Sequence, residues 1–220
     1  MNVSAIIDAR KESRERVAWE VSQVIFAGGA VIFPTDTVYG IGCDPLRLDA
    51  VDRIYRAKHR PDHKPLSLHL ATVAEFLEYV DGETMPTLAA RRLMPCKVTI
   101  VIRRPAFISE EVSAGLPTLG FRVPDDGLCS AILERTGPLA ATSANPSGRR
   151  PYYGGGNLEG LPPADLLVEN GPTKYSAESS VVDLSGPQPR LLREGVLSLE
   201  ALSEKIGPIV RQAVRVRNTE

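Results

Sequence analysis

Across residues 13–27 the apolar positions Val17, Val21, Val24 and Ile25 recur at helical spacing, and Gly28-Gly29 supplies a stop, so the pattern predicts a helix. The short run "AVIF" at 30–33, closed by Pro34, then predicts a strand, and "PTDTVYGIG" after it reads as a polar, glycine-containing loop. A loop following a strand is a frequent place for a ligand. Asp49 precedes a second amphipathic stretch with Val51, Ile54 and Tyr55 in register, which must end before Pro61. In "LSLHL" (66–70) the leucines alternate with Ser67 and His69, so a strand there sends Leu66, Leu68 and Leu70 to one face and His69 to the other.

Downstream, Thr72-x-x-Glu75 is a capping-box pattern that opens a helix carrying Val73, Phe76, Leu77 and Val80. Further helices are predicted over 88–93, over 128–135 and from a Ser198 cap to Gly207, with strands at 98–102, 119–123, 138–142, 165–168, 179–184 and 190–193. Helices and strands mix without strict alternation in the second half. The expected fold class is therefore α/β, an open, twisted, mixed sheet with helices on its faces, in one domain. The segment 145–165, rich in Gly and Pro and poor in aliphatics, is expected to be a long mobile loop.

Composition changes this picture in two ways. A formal net charge of −1 gives no global pull toward nucleic acid or an anionic membrane, so any anion binding must come from local clusters. Cys43, Cys96 and Cys129 are odd in number and widely spaced, against a disulfide framework or zinc knuckle and in favour of a reducing, cytoplasmic setting. No apolar run approaches the ~18 residues of a membrane span, so a membrane partner is not expected. Cys43 is expected to be a small buried hydrophobe.

The chemistry-bearing stretches are "KHRPDHKPLSLHL" (58–70) and "GPLAATSANPSG" (137–148). No P-loop, Rossmann fingerprint, GxSxG elbow or HExxH pattern is present, and Pro61 between His59 and His63 breaks their helical spacing, so no protein-held metal is expected. Lys58, Arg60 and Lys64, beside turns forced by Pro61 and Pro65, read equally as a solvated basic loop or as a phosphate clamp. Thr142, Ser143 and Asn145 at a strand end read as an ordinary turn or as a ligand-binding edge.

Taken together and in order, "FPTDTVYGIGCDP" (33–45), "KHRPDHKPLSLH" (58–69), "GFRVPD" (120–125), "ATSANPSG" (141–148), "SSVVDL" (179–184) and "LLREG" (191–195) resemble the YrdC/TsaC family of L-threonylcarbamoyladenylate synthases. The resemblance spans about 15–207, which makes 1–14 an N-terminal extension and 208–220 a C-terminal tail. It implies a YrdC-like sheet with a concave basic cleft, and a nucleotidyltransferase that makes threonylcarbamoyl-AMP and pyrophosphate from ATP, L-threonine and bicarbonate. That product would serve N6-threonylcarbamoyladenosine modification of tRNA through separate transfer proteins, with tRNA itself a candidate partner.

By the same resemblance Lys58, Arg60, Ser143 and Asn145 form the catalytic signature. Arg60, Lys64, Thr118, Ser143 and Arg193 would serve ATP; Thr37, His69, Arg122 and Ser179 would serve threonine. Mg2+ is the expected cofactor, held mainly by the ATP phosphates. Three departures stand out: "PCKVT" (95–99) replaces a common Pro-Gly-Pro turn, Asp36 replaces a common glutamate with no expected effect, and the extra C-terminal domain of the longer branch is lacking. Two other readings stay open. One is an RNA-binding module using Arg149, Arg150, Tyr152 and Tyr153. The other is a paralogue of this fold acting on a different carbamoyl or adenylyl substrate.

Overall fold

The computed structural model describes residues 3–80, 82–95 and 97–211. In chain order the elements are β1 (Val3–Asp8), α1 (Arg14–Phe26), β2 (Val31–Phe33), β3 (Gly40–Cys43), α2 (Leu48–Lys58), β4 (Ser67–His69), α3 (Val73–Leu77) and α4 (Met85–Leu93). They continue as β5 (Val98–Arg103), α5 (Glu110–Ser113), β6 (Thr118–Arg122), α6 (Gly127–Thr136), β7 (Leu139–Ser143), β8 (Ala164–Glu169), β9 (Ser180–Asp183), β10 (Arg190–Arg193), α7 (Leu199–Ile206) and β11 (Val210–Arg211).

The caps follow the sequence chemistry. Ser13, Thr72 and Ser198 accept the amides of Arg16, Glu75 and Ala201, each satisfying a first-turn donor that has no partner within the helix. At Thr72 the box is reciprocal one residue early, since the Glu75 carboxylate accepts the amide of Ala71 at 2.8 Å.

The strands form one 11-stranded mixed sheet in the order β1-β8-β2-β3-β7-β4-β6-β5-β9-β10-β11. The extension at 1–14 is thus not separate from the sheet, because β1 pairs parallel with β8 along its length. Part of the tail likewise joins it, β11 pairing parallel with β10; residues 212–220 lie outside the described residues. Strand β3 falls where a loop was expected.

One face of the sheet is fully apolar: Ile41, Leu68, Ile100, Phe121, Ala140 and Val182 pack under Val51 and Ile54 of α2, Phe76 of α3, Ala90 of α4 and Leu202 of α7. On the other face, α1 (Val17, Val21, Ile25) and α6 (Leu128, Ile132, Leu133) cover only the region of Val31, Phe33, Leu139, Ala141, Leu166 and Val168. The middle of that face is left open. Among the described residues no helix is long and apolar enough to cross a membrane.

Candidate active site

The uncovered face carries side chains set by the period of two along each strand. Register pairs place Ser67 beside Gly120 and Ala141, Gly40 beside Ser143, Val101 beside Gly120, and Thr99 beside Val181. Apart from Val101 and Val181 these are small or polar residues, where the opposite face has Leu, Ile and Phe. Gly120 has no spare room: a Cβ there would lie 2.9 Å from Ser67 Oγ and 2.9 Å from Thr99 Cγ2. The result is a cleft of about 600 Å³ with the sheet as its floor, within the usual size of a small-molecule site.

The two basic and hydroxyl-rich stretches of the sequence form its walls. Lys58, at the last turn of α2, is only 1% exposed, and its ammonium donates to the carbonyls of Ser143 and Asn145 beyond β7. In return the Lys58 carbonyl accepts the amide of Ser147 at 2.9 Å. Burial, with help from the Arg60 charge, pushes this ammonium down to about 7. Lys58 was expected on phosphates; two of its donors hold the Ser143–Asn145 turn, and the residue also lines the cleft.

Arg60 donates through Nε to the Lys64 carbonyl at 3.0 Å and through Nη2 to that of Pro65 at 2.6 Å, folding the 61–65 loop around its guanidinium. His59 ends α2 in the left-handed region at φ 48°, and this reversal swings Arg60 back over the cleft. Lys64 stands exposed at the rim. Opposite, Arg193 donates from Nε to the Ser179 carbonyl at 3.0 Å, from Nη2 to its hydroxyl at 3.2 Å, and from Nη1 to Glu178 at 2.8 Å. The Ser179 hydroxyl lies 3.0 Å from that of Thr99 on the floor.

The remaining residues gather at the α1–α6 end. Arg122 is 4% exposed and ion-paired with the buried Asp36. His69 sits beside Arg122 in register, against the edge of Phe33 with ring centroids 6.1 Å apart. Burial first, then the Arg122 charge, lowers its imidazole to about 3, so it is neutral at ordinary pH. His69 Nδ1, Arg122 Nε and Asn145 Oδ1 are buried atoms without a hydrogen-bond partner. Buried polar atoms in folded proteins are nearly always paired; these three belong to residues that line the cleft, as does Ser147 Oγ, whereas Asp36 Oδ2 and Arg104 Nε are also unpartnered and lie outside it.

Of the expected site residues, Lys58, Arg60, Lys64, His69, Thr118, Arg122, Ser143, Asn145, Ser179 and Arg193 all line this one cleft, and Thr37 does not. Thr37 is fully buried, its hydroxyl 3.1 Å from that of Thr35 and its carbonyl accepting from Thr173 at 2.7 Å. Thr35, unmarked by the sequence reading, takes the wall position. No local signal separates the two: the chain bends at 36–38, the Thr37 amide donates to Thr35 Oγ1 at 3.2 Å, and which hydroxyl meets the cleft is decided by the fold.

The expected mobile loop is tied down in its middle. Tyr152 packs against Tyr39 with rings tilted 57° and centroids 4.8 Å apart, donates to Glu169 at 2.7 Å, and accepts the Tyr39 amide at its carbonyl at 3.0 Å. Tyr152 is thereby used within the fold rather than as a stacking platform, while Arg149 and Arg150 stay exposed. Cys43 and Cys129 are buried free thiols; Cys96, the centre of the altered turn, lies outside the described residues. No cluster of three or more His, Cys, Asp or Glu that could hold a metal ion occurs among the described residues.

The Sua5/YciO/YrdC family model, described as "Telomere recombination", matches residues 23–195. The threonylcarbamoyl-AMP synthase of Bacillus subtilis (strain 168) is 38% identical over 188 residues, 81% of this chain and 53% of that protein. That of Pyrococcus abyssi (strain GE5 / Orsay) is 32% identical over 220 residues, 94% of this chain and 62% of that protein. The chain therefore spans between about half and two thirds of these relatives' lengths. The crystal structure of P. abyssi Sua5 complexed with L-threonine superposes with a TM-score of 0.83 at 30% identity, covering 96% of this chain and 62% of that one.

Proposed function

We propose that this chain, which belongs to the Sua5/YciO/YrdC family, binds ATP and L-threonine in the cleft and condenses them with bicarbonate to threonylcarbamoyl-AMP and pyrophosphate. The observation that carries the reading is the meeting of Arg60, Ser143, Arg193, His69 and Arg122 around one cavity of about 600 Å³. Its two ends differ in the way two substrates require.

At the Arg60–Arg193 end, guanidinium groups and the Ser143 hydroxyl suit the triphosphate, with Lys64 at the rim and Thr118 on the floor. At the closed end, Arg122 suits a carboxylate and the neutral His69 a polar group of an amino acid, with the Ser179 hydroxyl, held by Arg193, reaching the amino acid from the opposite wall. The threonine amine takes up CO2 from bicarbonate as a carbamate; a carbamate oxygen attacks the α-phosphorus, and its bond to pyrophosphate breaks. No side-chain nucleophile enters. Negative charge builds on phosphate oxygens, where the Arg60 and Arg193 guanidinium groups, already fixed by backbone carbonyls, need no reorganisation to stabilise it.

Magnesium, carried on the triphosphate, would withdraw charge from the phosphate oxygens when bound. The unpartnered Asn145 Oδ1 is an acceptor suited to its hydration shell. Delivery of the product to tRNA by separate transfer proteins belongs to the same proposal. The Tyr152 contacts weigh against a pure RNA-binding module, which needs free aromatic faces.

Pyrophosphate release by the purified chain with ATP, magnesium and bicarbonate, with and without L-threonine, tests the reading. Threonine- and bicarbonate-dependent release together with the threonylcarbamoyl-AMP mass is the expected result. A folded protein that binds ATP but gives no such product would overturn it in favour of a paralogue acting on another substrate.

A further inference from the structure

We propose that Asp36 is the positioning residue for Arg122, and that through this pair it sets the affinity of the cleft for the amino acid's carboxylate. The inference rests on the function proposed above and extends it to a residue for which neither the sequence nor the resemblance suggested a role.

Asp36 is 1% exposed, does not line the cleft, and so cannot touch a ligand itself. Its Oδ1 accepts from Arg122 Nη2, across 86 positions of sequence. The backbone that carries this carboxylate is held from both sides, while its Oδ2 has no hydrogen-bond partner. The Thr37 amide donates to Thr35 Oγ1 at 3.2 Å, the Thr35 hydroxyl donates to the Val38 carbonyl at 2.7 Å, and the Asp36 carbonyl accepts the Tyr175 amide at 3.1 Å. A rigid turn therefore presents one anionic oxygen to one corner of the guanidinium.

A guanidinium has five N–H donors in a planar fork. Asp36 occupies one corner, while Arg122 Nε remains buried without a partner. Pinning one corner fixes the plane of the fork, so the donors left over have a defined direction. Arg122 and Asp36 together carry no net charge. Recognition of a carboxylate then depends on where the fork points more than on a free positive charge, and the length of the residue at 36 becomes a specificity determinant. Replacing Asp36 by glutamate adds one methylene to the arm and pushes the fork into the cleft.

The test is calorimetric binding of L-threonine, of threoninol, which has an alcohol in place of the carboxylate, and of ATP to the wild type and to Asp36→Ala, Asp36→Asn and Asp36→Glu. Threonine affinity is expected to fall about tenfold or more in Asp36→Ala, the scale of a lost charge-assisted hydrogen bond. ATP and threoninol binding should be unchanged, and KM for threonine should rise with kcat nearly constant. Unchanged threonine affinity, or equal losses for threonine and threoninol, would overturn the inference. Solvent exchange of the Arg122 Nε–H, read by NMR without ligand, separates the two proposals. A wild type that binds no threonine sinks the proposed function, while slow exchange in the wild type and fast exchange in Asp36→Ala still supports the positioning role. Identical exchange in both proteins would remove it.

Discussion

Lys58 and Ser147 are joined backbone to backbone, the Ser147 amide donating to the Lys58 carbonyl at 2.9 Å, while the Lys58 ammonium reaches the carbonyls of Ser143 and Asn145 from the same side. One residue at the end of α2 thus fastens the whole turn that carries the Ser-x-Asn signature. Its charge is buried for the sake of that turn's shape.

Replacing Lys58 by methionine keeps the length of the side chain and removes the donors. The Asn145 carbonyl then loses the ammonium, at roughly 1–3 kcal/mol, while the Ser143 carbonyl keeps the Asn145 amide at 3.0 Å; relief of the buried charge offsets part of the loss. Urea denaturation should show a destabilised Lys58→Met protein, and pyrophosphate release should fall about 100-fold or more as the turn loses its geometry. Wild-type turnover by this variant would show that the clamp is dispensable.

Arg60→Ala removes both the proposed phosphate contact and the staple of the 61–65 loop, so turnover should be abolished with the fold retained. Arg60→Lys restores a charge but not the fork that engages the Lys64 and Pro65 carbonyls, and it should recover ATP binding only in part. Full recovery by lysine, measured by ATP titration and pyrophosphate release, would reduce Arg60 to a point charge.

His69 ties stability to pH. Its folded pKa of about 3 lies below the ordinary value of 6.5, so between these limits the unfolded chain binds the proton and the folded chain does not. Stability from this group is present in full above 6.5 and is lost as pH falls toward 3, at up to ~1.4 kcal/mol per pH unit. Denaturation at pH 7, 6 and 5 should show a flatter acid limb in His69→Asn than in the wild type; parallel limbs would place the acid sensitivity elsewhere.

The loop at 149–163 should resist protease in its middle and yield on either side of Tyr152. Tyr152→Phe loses the donation to Glu169, about 1 kcal/mol, and should raise cleavage in the absence of ligand. ATP plus threonine should protect the 145–151 stretch, which lines the cleft. Identical digestion patterns with and without ligands would count against closure over the nucleotide.

Local features were legible wherever a single period or cap set them. The alternation in "LSLHL" placed His69 away from the leucines, and it does face the cleft while Leu68 packs in the opposite core. Thr72 and Ser198 announced their helices. Strand β3 was missed because two of its four residues, Gly40 and Gly42, are of a type depleted in strands; Gly42 is small since a Cβ would meet Phe33 at 3.0 Å and Ala141 at 3.2 Å.

The candidate site was legible as a set of residue types and not as a set of contacts. Nothing local distinguishes Thr35 from Thr37, or tells that Lys58 points inward at a backbone while Lys64, on the same basic stretch, stays in water. Asp36, read as a harmless change, acquires meaning only when β6 brings Arg122 beside it.

The open cleft floor is also packing that the protein goes without. No helix among the described residues packs over the middle of this face of the sheet, and that open middle is stability withheld from the free protein. Ligands restore part of it by linkage, since each binds only the folded form: at 100 times its dissociation constant a single ligand adds about 2.7 kcal/mol. The melting temperature of this chain is therefore a reporter of its cleft, low when empty and rising with each substrate that fills the room left for it.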